Sequence, residues 1–157
     1  MDEPTASKAP FWWGLALAAL LGVLVGLGAF TTYYARGASY LSDAPEACAN
    51  CHVMRDQYEA WQRSSHGRVA VCNDCHAPHT FPDKWIVKAI NGFNHSLAFT
   101  LNNFPDPIRI RPMNVGVVQR NCEDCHRTLI GQMNGPHADE ELMCVSCHGS
   151  VGHRTRD

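Results

Sequence analysis

The eight cysteines of this 157-residue chain constrain its fold more than any other feature. They fall into four Cys-x-x-Cys-His motifs, which start at residues 48, 72, 122 and 144, and no cysteine is left over. Two residues separated by one helical turn project to the same side of the backbone, so the two thiols of each motif lie side by side. A histidine directly follows the second thiol in every motif. The chain must therefore fold around four copies of one small cysteine and histidine site.

This motif is the attachment signature of heme c. Its two thiols form thioethers with one heme, and the adjacent histidine can reach the iron. Structural zinc and disulfide bonds are the alternatives, but neither explains a histidine after every second cysteine. We therefore predict four covalently bound hemes c, numbered here by motif and attached through Cys48, Cys51, Cys72, Cys75, Cys122, Cys125, Cys144 and Cys147.

An uncharged stretch precedes the motifs and runs from Phe11 to Phe30, which is long enough to span a bilayer. Trp12 and Trp13 flank it on one side and Tyr33 and Tyr34 on the other, where amphipathic rings favour the headgroup layer. A cleaved signal peptide is the alternative, but its apolar region is shorter and follows a clearly basic segment. We predict a retained single-pass anchor.

Three segments follow from these features. We predict a cytoplasmic tail at residues 1–10, a transmembrane anchor at 11–34, and a periplasmic tetraheme domain at 35–157, in a bacterial inner membrane. No stretch alternates apolar and polar residues as a sheet strand would, so the fold class is mainly α with much irregular coil. The hemes would fill the interior of the small cytochrome domain. The formal net charge of -2 gives no reason to expect a nucleic-acid partner.

One amphipathic helix is predicted between motifs two and three, from Trp85 to Leu101. Apolar residues recur there at helical spacing, beside a polar stripe that includes Lys88 and His95. These two residues lie two turns apart, about 10 Å along the axis. The stripe is either a solvated helix face or one side of a site for a flat ligand beside heme 1.

Four irons have eight axial positions, and the motif histidines supply at most four ligands. A second ligand makes an iron low-spin and suited to electron transfer, whereas an open site permits substrate chemistry. Residue type alone does not choose among the remaining candidates, which are Met54, His66, His79, His95, His137 and His153.

With these residues in view, the chain resembles the NapC/NirT family of membrane-anchored quinol dehydrogenases, in its short four-heme form. The resemblance covers nearly the whole chain. It rests on the N-terminal anchor, on the first motif extended through Val53 to Met54, on the second motif extended through Ala77 and Pro78 to His79, and on the spacing of the last two motifs.

The resemblance implies a ligand set. Met54 would bind heme 1 and leave His52 off the iron. Three further sets would pair His126 with His153, His148 with His66, and His76 with a lysine from a partner reductase. His79 and His137 have no assigned role.

The resemblance also implies a quinol site beside heme 1, formed by a lysine and an acidic residue after motif two. Lys88 matches the lysine, and His95 stands at the acidic position. His95 would either accept a quinol proton or complete heme 1 as an axial ligand. The implied function is oxidation of menaquinol or a similar quinol, with electron delivery to a periplasmic multiheme nitrite reductase that forms ammonia.

Two alternatives remain at this point. The chain could be a general quinol dehydrogenase that serves a nitrate reductase or another terminal reductase. It could also be a tethered electron carrier that receives electrons from a separate dehydrogenase.

Overall fold

A computed structural model describes residues 9–132 and 143–153. Within these ranges the chain is helical with irregular connections and contains no strand, which confirms the predicted fold class. The helices are α1 Ala9–Tyr34, α2 Pro45–Cys48, α3 Arg55–Gln62, α4 Cys72–His76, α5 Asp83–Leu101, α6 Pro112–Cys125, α7 Arg127–Ile130 and α8 Cys144–Cys147. Two short 3-10 turns lie at Gly37–Leu41 and His52–Met54.

The chain divides into two compact units, Met1–Ala38 and Ser39–Asp157. Helix α1 belongs to the first unit. Its Phe11–Tyr34 stretch is long and apolar enough to cross a membrane, and its side chains are exposed rather than packed against protein. A soluble helix of this composition would bury one face. The predicted anchor is therefore a continuous apolar helix.

Helix α5 begins two residues earlier than the sequence predicts and ends where expected, at Leu101. Asn102 stops it by adopting a left-handed backbone conformation (φ 50°), which asparagine tolerates better than most residues. The apolar stripe of α5 is not buried within the described residues, and Phe93 is 68% exposed. The apolar side of α5 is therefore not covered by the described side chains of this chain.

Helix α6 joins three of the four motifs within the second unit. Pro112 occupies its first turn, where the missing N–H costs nothing, and the helix runs directly into motif three. The buried amide of Asn121 donates to the carbonyl oxygens of Cys75 (3.1 Å) and Ala77 (2.9 Å), which joins α6 to α4. At the far side, the backbone N–H of Cys144 donates to Gln119 Oε1 at 2.8 Å. Motifs two, three and four are thus tied to one helix.

The apolar core of the described residues is very small. Only Ala77, Val87 and Val117 are buried apolar side chains, and no large side chain is fully buried. A domain of this size ordinarily needs a contiguous apolar core to offset the entropy of folding. The sequence prediction that porphyrins fill the interior accounts for this shortage.

Candidate heme sites and the surroundings of motif one

Each motif lies on or beside a helical turn, so its two thiols share one side of the backbone. Motif two forms α4, motif three ends α6, and motif four forms α8. Motif one spans the end of α2 and the turn that follows it. None of the eight cysteines forms a disulfide bond. The described residues contain no cluster of three or more histidine, cysteine or acidic side chains that could hold a metal ion, as structural zinc would require.

The four motifs follow one another in space as they do in sequence. Motifs one and two meet where the thiol of Cys72 hydrogen-bonds Cys48, which lowers the pKa of Cys48 to about 7 and raises that of Cys72. Motifs two and three are also close. Burial raises the pKa of Cys75, and Asp74 and then Cys125 of motif three raise it further.

Motif four continues the series. Burial raises the pKa of Cys122, and the nearby Cys144 raises it further. These shifts apply to the thiols before heme attachment, but they show which motifs are neighbours. Helix α4 packs against α2 and α6, and α6 packs against α8, so consecutive motifs are neighbours from motif one to motif four.

Two pairs of histidine rings lie at a similar spacing, one pair nearly parallel and the other edge-on. The ring centres of His76 and His153 are 5.9 Å apart, and those of His66 and His126 are 6.0 Å apart. Two imidazoles on opposite sides of one metal ion have centres about 6 Å apart, since each metal–nitrogen bond is about 2 Å and each nitrogen lies about 1 Å from its ring centre. The distance between ring centres in both pairs matches that spacing.

The protonation state of these rings also fits a metal site. Burial lowers the pKa of His76 to about 4, with a smaller contribution from His153, so the ring is neutral near pH 7, as an iron ligand must be. Nδ1 of His153 is buried without a hydrogen-bond partner. By contrast, Nδ1 of His66 lies 3.2 Å from the carbonyl oxygen of Val151, which orients the ring and leaves Nε2 free.

These contacts differ from the pairing that the resemblance implied. The structure brings His153 to His76 of motif two, not to His126 of motif three. It brings His66 to His126, not to His148 of motif four. The reason is the fold around α6, which places the segment after motif four beside α4, a long-range contact that spacing along the chain does not reveal.

The remaining ligand candidates lie in different surroundings. Met54 is half-buried at the end of its turn, whereas His52 is exposed. His79 is exposed, and its Nε2 lies 2.9 Å from the carbonyl oxygen of Asp74 and is engaged there. His148 is exposed. His137 lies outside the described residues.

Lys88 is buried, in contrast to the lysines of a solvated helix face, and it is only 8% exposed. Its ammonium donates to Asp43 Oδ1 (2.8 Å) and to the carbonyl oxygen of Ser42 (2.9 Å). Lys84 bonds the other oxygen of Asp43 at 2.6 Å. These contacts fasten the segment before motif one to α5. The Lys88 ammonium also lies 5.3 Å from the centre of the Trp85 ring, a cation–π contact beside its two hydrogen bonds.

Asp43 is the centre of this cluster, called here the Asp43 clasp and formed by Ser42, Asp43, Asn73, Lys84 and Lys88. The amide of Asn73 also donates to Asp43, at 2.8 Å. Hydrogen bonds from Lys84, then Lys88, hold the pKa of Asp43 well below its usual range. The positive charge of Lys88 also lowers the pKa of Cys48, which places the clasp next to motif one.

His95, the other predicted quinol-site residue, bonds a tyrosine from the same preceding segment. The hydroxyl of Tyr40 lies 2.9 Å from His95 Nδ1. Burial, then the charges of Cys51 and Cys48, raise the pKa of Tyr40 to about 12, so its hydroxyl keeps its proton. Partial burial, then the positive charge of Arg111, lower the pKa of His95, which keeps its ring neutral near pH 7.

Lys88 and His95 are thus both held by residues from the segment just before motif one. The sequence predicted the two α5 residues but not their partners. Asp43 and Tyr40 belong to no motif. Asp43 lies 45 positions before Lys88 in the chain, and Tyr40 lies 55 positions before His95. Acidic and aromatic residues are common within eight positions of a heme motif, so nothing in the sequence singles out Asp43 and Tyr40 as these partners.

Comparison with protein families identifies one match. The N-terminal region of the NapC/NirT cytochrome c family matches residues 9–110, which include the apolar helix and the first two motifs. Motifs three and four lie beyond that match.

Individual proteins extend the likeness to the rest of the chain. The cytochrome c-type protein NrfH of Wolinella succinogenes is 39% identical over 145 residues, which cover 85% of this chain and 82% of that protein. The cytochrome c nitrite reductase subunit NrfH of Nitratidesulfovibrio vulgaris is 33% identical over 98% of this chain and 91% of its own length. NapC of Escherichia coli K12 is 25% identical over 93% of this chain.

One solved structure has a similar fold. It is the crystal structure of the cytochrome c nitrite reductase NrfHA complex bound to the HQNO inhibitor. The TM-score is 0.65 with 30% sequence identity, and the match covers 87% of this chain and 90% of that one.

The Asp43 clasp can be tested by removing its centre. Asp43→Ala leaves the buried Lys88 ammonium without a counter-charge, whereas Lys84→Ala removes only a partly exposed ion pair. We expect Asp43→Ala to cost about 1–3 kcal/mol of unfolding free energy and Lys84→Ala at most about 1 kcal/mol. Thermal unfolding of the heme-loaded protein in detergent measures both, and equal losses would contradict the clasp.

The pH dependence of that loss has a defined sign. The folded pKa of Asp43 is lowered, so its contribution is complete above the ordinary aspartate pKa of about 4 and declines as the pH falls below it. The difference between the wild type and Asp43→Ala should be constant from about pH 5 to 8 and should shrink in acid.

Proposed function

The chain belongs to the NapC/NirT cytochrome c family, and from this we propose that it is a membrane-anchored tetraheme cytochrome c that oxidises quinol and delivers the electrons to a periplasmic multiheme nitrite reductase. It would lie in a bacterial inner membrane, with α1 as a single-pass anchor and the heme domain in the periplasm. The relatives named NrfH, and the NrfHA complex of similar fold, support this assignment.

The observation that carries the proposal is the contact between consecutive motifs. Heme c supplies reversible one-electron chemistry when bound. A quinol gives up two electrons, so a carrier with several adjacent irons can take both and pass them on singly. The clasp and His95 mark motif one as the site of electron uptake.

The residues near motif one suit a quinol. The Lys88 ammonium and the free Nε2 of His95 are polar groups on one side of α5 that can hold a quinol oxygen. During oxidation both O–H bonds of the quinol break, two electrons leave, and two protons pass to periplasmic water. Menaquinol or a similar quinol would be the substrate.

We also propose the axial ligands. His76 with His153 and His66 with His126 would each complete one iron, Met54 would bind heme 1, and His148 would bind heme 4. With His153 at motif two, heme 2 takes both ligands from this chain, which replaces the partner lysine that the resemblance implied for it.

The ligand proposal predicts a spectroscopic change. His153→Ala should convert one low-spin heme per chain to high-spin, because His76 would then be the only axial ligand of heme 2. His79→Ala is the matched control, since His79 is an exposed histidine after the same motif and should leave the spectrum unchanged. Electron paramagnetic resonance of the oxidised protein counts high-spin hemes. An unchanged spectrum for His153→Ala would contradict the proposed ligand pair.

The function is tested by purifying the chain from membranes with its partners intact. A menaquinol analogue should reduce the hemes, and nitrite should then reoxidise them with formation of ammonium. Reoxidation by nitrate but not by nitrite would instead support a general quinol dehydrogenase that serves other reductases. The likeness to NapC is the reason to test this alternative. Reduction only through an added dehydrogenase would support the tethered carrier and overturn quinol oxidation.

A further inference from the structure

The contact between Tyr40 and His95 joins two segments that the chain holds 55 positions apart. Tyr40 lies in the turn before motif one, and its ring packs against the backbone of α5 at Gly92. A Cβ atom at Gly92 would lie 3.4 Å from the Tyr40 ring, so the contact is close. His95 follows one turn later on the same helix. The tyrosine hydroxyl therefore reaches His95 from a ring that is already fixed in place.

We propose that Tyr40 is a positioning residue for quinol oxidation, which holds His95 so that its Nε2–H donates a hydrogen bond to the quinol oxygen. This inference rests on the proposed function and adds a residue and a role to its quinol site. It replaces both roles that the sequence left open for His95, because it makes the ring a hydrogen-bond donor and neither a heme ligand nor a proton acceptor.

The hydrogen bond sets the position of the ring proton. The Tyr40 oxygen lies 2.9 Å from Nδ1. A phenol O–H is a better donor than acceptor, and an imidazole nitrogen is a good acceptor, so we assign Tyr40 as the donor. In the neutral ring the proton then lies on Nε2. A nitrogen that carries a proton has no lone pair for iron or for a second proton. Nε2 is left as a donor with a fixed direction.

Such a donor assists the chemistry at the oxygen. When a quinol O–H bond breaks, its proton passes to water and its electron pair stays on the oxygen, which becomes negative. A hydrogen bond to that oxygen strengthens as the charge develops. A heme held by motif one would accept the electrons one at a time. The Nε2–H of His95 and the Lys88 ammonium would stabilise the same developing charge.

The test uses the full anchored chain with a menaquinol analogue. Tyr40→Phe keeps the ring against Gly92 and removes only the hydroxyl. Tyr58→Phe is the matched control, because Tyr58 also carries a hydroxyl bonded to a side chain, Glu46 at 3.1 Å, near motif one. We measure the rate of heme reduction by rapid mixing and the spin states by electron paramagnetic resonance.

We expect His95→Ala to slow heme reduction about 100-fold, as loss of a donor to a developing oxyanion does. Tyr40→Phe should slow heme reduction about tenfold, because the net free energy of one hydrogen bond corresponds to about that change in rate. Adding Tyr40→Phe to His95→Ala should cause no further loss, because Tyr40 acts only through His95. Tyr58→Phe should match the wild type, and all variants should keep the wild-type spin states.

Three results would overturn the inference. A new high-spin heme in His95→Ala would identify His95 as an iron ligand. A wild-type rate in Tyr40→Phe, with the wild type active, would remove the role of Tyr40 and leave the proposed function standing. A wild-type chain that the quinol analogue does not reduce would overturn the proposed function and this inference together.

Discussion

Each heme site in this chain is set by two cysteines on one helical turn, and little else in the described residues could hold the cytochrome unit together. Three small apolar side chains make up its buried apolar core. The connections that remain are polar, such as the amide of Asn121 on the carbonyls of Cys75 and Ala77. The four covalently attached porphyrins that we propose would supply the apolar surface that such a chain lacks. The spacing of the motifs therefore determines both the fold and the order of the electron carriers.

Near motif one, the residues that hold the structure together also form the proposed site. The segment between the anchor helix and the first cysteine contributes Tyr40 and Asp43, and α5 contributes His95 and Lys88. Each pair joins one residue from the short segment with one from the helix. The four side chains thus fix the geometry of the proposed electron-uptake site through two separate long-range contacts. A change in either segment would disturb both packing and chemistry.

Much of this organisation could be predicted from sequence. Local patterns predicted the apolar helix and α5 within two residues, because each depends on residues close in the chain. The four attachment sites rest on the same kind of local pattern and stay a prediction. Contacts between distant segments could not be predicted. The meeting of His153 with His76 depends on how α6 positions motif four against α4, and the clasp depends on a carboxylate outside any motif. Periodicity and motif spacing carry no information on such contacts.

The central claim is that the four attachment points form one continuous path for electrons. Rapid mixing of the oxidised, membrane-anchored chain with excess menaquinol analogue tests it directly, with the hemes reduced per chain counted from the absorbance change. Because motif one is joined to motif two, two to three, and three to four, electrons that enter at motif one should reach every heme, and reduction should proceed to four hemes per chain. Reduction that stops at one heme per chain would contradict the path.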